Sequence, residues 1–424
     1  MARTKARRCQ RPSGRRLVRS ASKKNVDCLK DQLAWLLPNE GIFAAIRFHG
    51  NITWTANSLV VLALCWSWSE ARHVTDAFVD ARAWSQVIVG CTPLSTYQGL
   101  LGALVSWTPH LLPVLLGVLH QRMEQIGGPV YRVYGWAPIA FDGSRATAAR
   151  TKSNESAFCA KNYGKGKTAQ YRKKKSKGMR RKRNQKNPPQ PQAPQAWITL
   201  LWHMGHRLPW AWRLGPSNAS EREHVIDMIE TGSFPQKALF CGDAGFVGYP
   251  LWSSLRSAGH HFMVRVGGNV NLLREQAACK IQRKGQEQIV LCWPQAAIQK
   301  EQPPLRLRLV QVRIGKTRVW LLTSVLQRRE LSRKAMVRYY KMRWGIELEF
   351  RGLKQTLDRA KLRCRNSDRL KAELNWSILA MAVAELLALK EQQMCCSKGR
   401  LCNPRSGGTG SLADYTQYLR ALDS

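Results

Sequence analysis

Apolar and polar positions change period along the chain. From Val26 to about Ile126 the apolar clusters, such as Ser58–Trp68 and Leu111–Leu119, have helical spacing. Turn signals at Leu37-Pro38-Asn39 and Cys91-Thr92-Pro93 separate them. An all-α region is expected there. Gly127-Gly128-Pro129 then marks a change to short strand-like runs: Pro138–Phe141, Trp197–Met204, Leu208–Leu214, Lys237–Cys241 and His261–Val266. A helix at Ser220–Thr231 interrupts them, with Ser220 or Asn218 as cap and Glu221 and Glu223 in its first turn. Tyr249–Ala258 predicts another helix.

Strands return at Gln288–Trp293, Leu305–Ile314 and Thr317–Val325, with Gly315-Lys316 as a hairpin tip. Leu305-Arg306-Leu307-Arg308-Leu309 alternates, which predicts a half-exposed strand with a basic face. Leu331–Leu357 has helical spacing. An apolar helix capped by Ser367 or Asp368 follows, runs through Lys390, and is expected to pack under the sheet. Gly99–Leu119 is long and apolar enough to consider as a membrane span. Ser106, Thr108, Pro109, His110 and Pro113 within it point to a buried helical hairpin instead, so no membrane is expected.

These boundaries divide the chain as follows. Residues 1–25 are an expected disordered basic arm, and 26–128 a helical domain. Residues 129–266 and 329–392 form the two parts of an α/β core. A disordered basic loop at 161–196 lies inside that core, a β-rich insertion at 267–328 separates its parts, and 393–424 is a tail with one short possible helix at Leu412–Leu422 and no assigned function.

Charge narrows the class. In 424 residues, 68 Lys and Arg face 27 Asp and Glu, a net charge of +41, while 44% hydrophobic content excludes a wholly disordered protein. Such an excess points to a polyanion, with nucleic acid first. Residues 1–24 carry ten basic residues and residues 161–186 carry thirteen, with no acid in either. Removing those 23 charges from +41 leaves about +18 on the rest, so the body is basic as well. The arm reads either as a phosphate-binding segment or as a solubilising tail.

The twelve cysteines include no Cys-x2-Cys pair, and the closest group is Cys395, Cys396 and Cys402. They read as reduced thiols of a cytosolic protein. His203, His206, His260 and His261 make no zinc set with any spaced cysteine and read as structural or phosphate-facing. Gly164–Thr168 fails as a phosphate loop, because the first Gly of that motif would fall at Lys161.

The candidate chemistry lies in three carboxylates. Asp142 closes the run Pro138–Phe141 and precedes Gly143-Ser144. Asp243 closes Lys237–Cys241 between Gly242 and Ala244-Gly245. Glu347 lies on the Leu331–Leu357 helix with Tyr340, Arg343 and Lys354, at intervals of 3, 4 and 7 that return to one helical face. Trp344, Leu348 and Leu353 lie opposite and are expected to pack. Glu349 falls about 200° around the helix from Glu347 and so is excluded from the site. Carboxylates are hard oxygen ligands suited to Mg²⁺ or Mn²⁺, and three in one cleft hold two ions roughly 4 Å apart. The order strand, strand, strand, helix, strand places the first and fourth strands side by side, with their terminal aspartates facing.

Tyr340-x2-Arg343-x3-Glu347-x6-Lys354 resembles the signature of the bacterial DDE transposases of the insertion-sequence 4 family, over roughly Val130–Leu357. The resemblance implies an α/β fold with an RNase H-like mixed sheet flanked by helices, an all-α N-terminal domain that helps bind the element's ends, and a β-rich insertion that contacts DNA. It implies Asp142, Asp243 and Glu347 as catalytic metal ligands for Mg²⁺ or Mn²⁺. Tyr340, Arg343 and Lys354 would contact the terminal phosphates and a DNA hairpin. The partners it implies are double-stranded DNA, as element ends and target, and a second copy of the chain in a homodimer. Ala244-Gly245 departs from the family's frequent Arg-Gly, which removes one nearby DNA contact. The alternatives are a DNA-binding protein without activity, such as a repressor or domesticated copy, and an RNase H-like nuclease that cuts without joining.

Overall fold

A computed structural model describes residues 23–50, 52, 54–92, 94–159, 193–266, 282–284 and 287–397. The basic arm up to residue 22, almost all of the basic loop, the start of the β insertion and the possible helix Leu412–Leu422 lie outside them. The chain divides into two compact units, one built from Met1–Arg122, Gln355–Arg359 and Asp368–Ser424, the other from Met123–Lys354 and Ala360–Ser367.

The first unit opens with four helices: α1 (Lys23–Leu36), α2 (Ala56–Trp68), α3 (Val74–Val89) and α4 (Tyr97–Ile126). Thr55 and Ser58 form a reciprocal capping box that starts α2. The side chains of α2 are buried almost throughout, so it is the central helix of this unit. Instead of the expected hairpin, α4 is one continuous helix with Pro109 and Pro113 inside it.

The second unit is built on one nine-stranded sheet. Its strands are β1 (Ala137–Thr147), β2 (Gln195–His203), β3 (Leu208–Gly215), β4 (Ala238–Gly242), β5 (His261–Val266), β6 (Gln282–Lys284), β7 (Glu287–Cys292), β8 (Leu305–Ile314) and β9 (Thr317–Thr323). They lie in the order β3-β2-β1-β4-β5-β9-β8-β7-β6. The first three pair antiparallel, while β4 lies parallel between β1 and β5. This is the RNase H-like order. All of β4 is buried, as befits a central parallel strand covered on both faces. Burying Leu239 and Phe240 there stabilises the sheet by about 1.5–3 kcal/mol for each side chain. The longer helices that accompany the sheet are α5 (Lys152–Phe158), α6 (Glu221–Thr231), α7 (Tyr249–Ser257), α8 (Arg333–Arg343) and α9 (Gly345–Arg351).

Two expectations change here. The insertion is continuous with the core sheet, because β9 pairs antiparallel with β5 from Met263–Thr323 to Val266–Trp320. The basic face of β8 is interrupted too: Arg308 is buried. Its guanidinium pairs with Glu287 at 3.3 Å and donates to the Leu331 carbonyl, which compensates the buried charge.

The last helix, α10 (Ser367–Ser397), returns to the first unit. Trp376 Nε1 donates to Thr108 Oγ1 at 2.7 Å, and Trp68 Nε1 to the Ala380 carbonyl at 2.9 Å. These contacts place α10 among the N-terminal helices, where a position under the sheet was expected. Both α4 and α10 are long and apolar enough to cross a membrane, and most of α10 is buried within the protein.

Candidate active site

The pairing of β1 with β4 aligns the two aspartates. Ala137 pairs with Ala238 and Ala140 with Cys241, an offset of 101 residues. Asp142 and Asp243 differ by the same 101 (243 − 142), so extending the register two residues sets them side by side. The expectation that β1 ends at Asp142 is corrected. β1 runs on to Thr147 because its ladder with β2 continues from Ile139–His203 to Thr147–Gln195. β4 stops at Gly242. Its neighbour therefore ends there while β1 continues, and Asp142 stands where the parallel pairing opens. Asp243 caps a short turn at Ala244–Phe246, its Oδ1 accepting from Gly245 N at 2.7 Å.

Glu347 is linked to Asp142 through Arg343. Ser332 caps α8, its side chain accepting from Ala335 N. The helical path kinks at Trp344, continues as α9, and widens into a π-helical turn at Gly352–Thr356. Near the kink, a Cβ on Gly345 would come within 2.7 Å of the Trp202 indole, so this glycine lets the helix lie against β2. The Arg343 guanidinium lies 3.6 Å from Asp142 and 3.8 Å from Glu347. It is 6% exposed, and its Nε and Nη1 make no hydrogen bond among the described residues. Lys354 Nζ donates to Ser144 Oγ at 2.6 Å, two residues beyond Asp142. Tyr340 is buried, and its hydroxyl accepts from Arg265 at 3.5 Å. Asp142, Glu347, Arg343 and Lys354 thus gather over one short length of β1, with Tyr340 behind them.

The opposite helical face is not as the spacing predicts. Trp344 and Leu348 are 54% and 48% exposed, although Leu353 is buried as expected. Glu349 is the buried acid, accepting from Trp202 Nε1 at 3.2 Å. The break at Trp344 changes the helical phase, so a straight-helix projection through it assigns Trp344 and Leu348 to the wrong face. The exposed indole lies beside the Arg343 guanidinium, 5.7 Å from ring centre to Cζ.

Sequence reasoning missed a fourth carboxylate. Glu221 opens α6 and reads as a helix-dipole residue. A Cβ on Gly143 would come within 2.7 Å of its carboxyl carbon, so Glu221 lies on the β1 backbone next to Asp142. The signal was Asp142-Gly143: a residue without a side chain beside an acid leaves room for a second acid.

Burial, opposed by the Gly143 N–H and Arg343, raises the Asp142 pKa, and Asp243 and Glu347 raise it further. Burial, then Asp142 and Asp243, push Glu221 up to about 7. Burial lowers Lys354. Among the described residues, no three His, Cys, Asp or Glu side chains converge closely enough to hold one ion as they stand. The Arg343 guanidinium contacts both Asp142 and Glu347. The donor set itself fits a hard divalent cation. It consists of carboxylates that raise the cost of one another's charge, at an open strand edge. Of the four histidines read as structural or phosphate-facing, two are buried. His203 is fully buried, and His206 bonds the Gly127 carbonyl at 3.1 Å.

A family model described as "Transposase DDE domain" matches residues 139–383. A cryo-EM structure of the piggyBac transposase synaptic complex with hairpin DNA is similar at 11% identity, over 99% of this chain and 82% of that one, with a TM-score of 0.41. No curated protein matches.

Proposed function

The chain belongs to the transposase DDE domain family, and on that premise we propose that it cuts a mobile DNA element at its terminal repeats and joins it to a target, in the manner of the insertion-sequence 4 transposases. The observation that carries this reading is the shared 101-residue offset of the β1–β4 register and the Asp142–Asp243 pair, with Arg343 tying Glu347 to Asp142. Asp142, Asp243 and Glu347 would hold the divalent cations, Mg²⁺ or Mn²⁺. Bound there, the cations supply an acidified water or 3′-hydroxyl and a neutralised leaving oxygen for in-line displacement at phosphorus.

The chain's own groups do the rest. The rule that carboxylates and cations gather at a phosphoryl-transfer site accounts for Arg343 and Lys354. Arg343, paired with Asp142 and Glu347 in the metal-free protein, would be free to pair with a phosphate where a cation satisfied those carboxylates. Lys354, held by Ser144, offers a second positive charge along β1. Tyr340 braces Arg265 at the base of the same helix. The +41 charge serves the DNA backbone at large, without reading bases. Pairing of two element ends requires two copies of the chain, so a homodimer is part of the proposal.

The test uses duplexes carrying the element's own ends, with Mg²⁺, Mn²⁺ or EDTA. Wild type should cut at the element boundary only with metal. Glu347→Gln and Asp243→Asn should bind the same duplexes without cutting. Binding by wild type with no cutting under any condition would favour a DNA-binding role alone, and cutting without target joining would favour a nuclease.

A further inference from the structure

We propose that Glu221 is a fourth carboxylate of the cation site and binds the divalent cation together with Asp142 and Asp243. The inference rests on the reading of this site as cation-dependent.

Two carboxyls bracket Gly143. Asp142 Oδ1 accepts from its N–H at 2.8 Å, and the Glu221 carboxyl lies over its Cα, in the space a side chain would fill. The pleat turns Gly143 toward α6 and Asp142 toward Arg343, so the two acids approach β1 from opposite faces. They can meet at its edge because β4 has ended at Gly242 and pairs with β1 only as far as Ala140. Asp243, in register with Asp142, stands at that same opening. At that opening Asp142 and Asp243 are close enough to Glu221 to disfavour its charge.

Helix capping does not explain Glu221. Ser220 already caps α6, its side chain accepting from Glu223 N, and the exposed Glu223 supplies an acid to the helix N-terminus. Glu221 is instead turned inward and half-buried. Among the described residues no donor hydrogen-bonds it and no cation forms an ion pair with it. The nearest arginines are engaged elsewhere: Arg222 donates to the Val247 carbonyl at 3.1 Å, and Arg145 lies over the Trp197 ring at 4.4 Å. His224, one turn on, anchors α6 to Thr199 of β2 at 2.8 Å and fixes where Glu221 begins the helix. A half-buried acid without a partner, pressed toward two more acids, destabilises the metal-free protein and favours any bound cation. Arg145 and Arg222 favour the Glu221 charge without pairing with it and do not offset its burial, and the buried cation Arg343 spans Asp142 and Glu347.

The experiment uses the full chain with Mn²⁺ as probe. Calorimetry gives its affinity, and thermal unfolding is followed in EDTA and in Mn²⁺. Glu221→Gln should weaken Mn²⁺ binding by roughly tenfold or more. Its melting temperature in EDTA should stay level or rise, and the gain on adding Mn²⁺ should shrink. Glu223→Gln, which removes the same charge one turn-position away, should behave as wild type. If Glu221→Gln does not fold, Glu221→Asp, which withdraws the carboxyl by one methylene, should show the same weakening. Wild-type Mn²⁺ affinity in the folded Glu221 variant overturns the proposal, as does a lower melting temperature in EDTA with an unchanged gain, which marks a structural role. Asp142→Asn separates the two levels. If it abolishes Mn²⁺ binding while Glu221→Gln binds normally, only this inference falls. If wild type binds no Mn²⁺, the cation-dependent reading falls with it.

Discussion

Trp202 of β2 holds Glu349 through a hydrogen bond from its indole nitrogen, 3.2 Å long and buried at both ends, while Glu347, one residue removed from Glu349 on the same helix, keeps a side chain 44% exposed. The two glutamates therefore have opposite settings, one held in the interior and one open to solvent, and on the proposed reading only the second takes part in chemistry. Glu349→Ala orphans the indole N–H and should lower stability by about 1–3 kcal/mol. Glu347→Gln should change stability by no more than about 0.5 kcal/mol yet abolish end cleavage. Denaturant unfolding beside a cleavage assay checks both.

Gly345 sets the position of Glu347. Gly345→Ala pushes a methyl into the Trp202 ring and should cost about 1–3 kcal/mol of stability. Because it also shifts α9, cleavage should fall further than stability explains. A second change, Trp202→Phe, makes room, and the double variant should recover part of both losses. A double-mutant cycle with near-zero coupling would refute the contact.

Arg343 and a cation shared by Asp142 and Glu347 claim the same space. Arg343→Gln should therefore tighten Mn²⁺ binding, measured by calorimetry, while cleavage of the ends declines. Weaker Mn²⁺ binding in this variant would show that the guanidinium organises the carboxylates and does not compete for them.

Trp344 is half exposed beside the site, with no packing duty visible in its 54% exposure. Exposed indoles stack on unpaired bases at about 1–3 kcal/mol each. Trp344→Ala should leave the melting temperature unchanged and weaken binding to element ends by roughly 5- to 150-fold, read by fluorescence anisotropy. Equal affinity in the variant would return Trp344 to the ordinary surface.

Acid stabilises the metal-free site. The folded-state pKa of Glu221 is raised from 4.5 to about 7, and that of Asp142 is raised as well. A carboxyl that holds its proton more tightly when folded contributes stability fully present below its unfolded pKa. That contribution is lost as pH rises through the folded one. In EDTA the melting temperature should fall between about pH 4.5 and 7 through this group, and the fall should be shallower in Glu221→Gln.

Every strand but β6 was legible because it carries its own short apolar run, and β5 and β8 were bounded to the residue, while β6 is the polar run Gln282–Lys284. The pairing of the aspartates was legible from element order alone. What the sequence hid depends on phase and on neighbours. The helix breaks at Trp344, so a uniform 100° projection through it buried Trp344 and Leu348, which are exposed, and did not show that Glu349 is buried. Arg308 looked solvated because its partners, Glu287 and the Leu331 carbonyl, come from distant parts of the chain. Glu221 looked like a capping acid because its inward turn depends on the absent side chain of Gly143.

The antiparallel seam between β5 and β9 has a consequence for anyone seeking a smaller version of this protein. Trimming away the segment between the second aspartate and the glutamate helix would not release a minimal catalyst. It would uncover the side of β5 and leave a raw hydrogen-bonding row that invites other chains to add themselves. A shortened variant that stays soluble must keep β9 as a selvage, and with it the hairpin partner β8 that holds β9 in place.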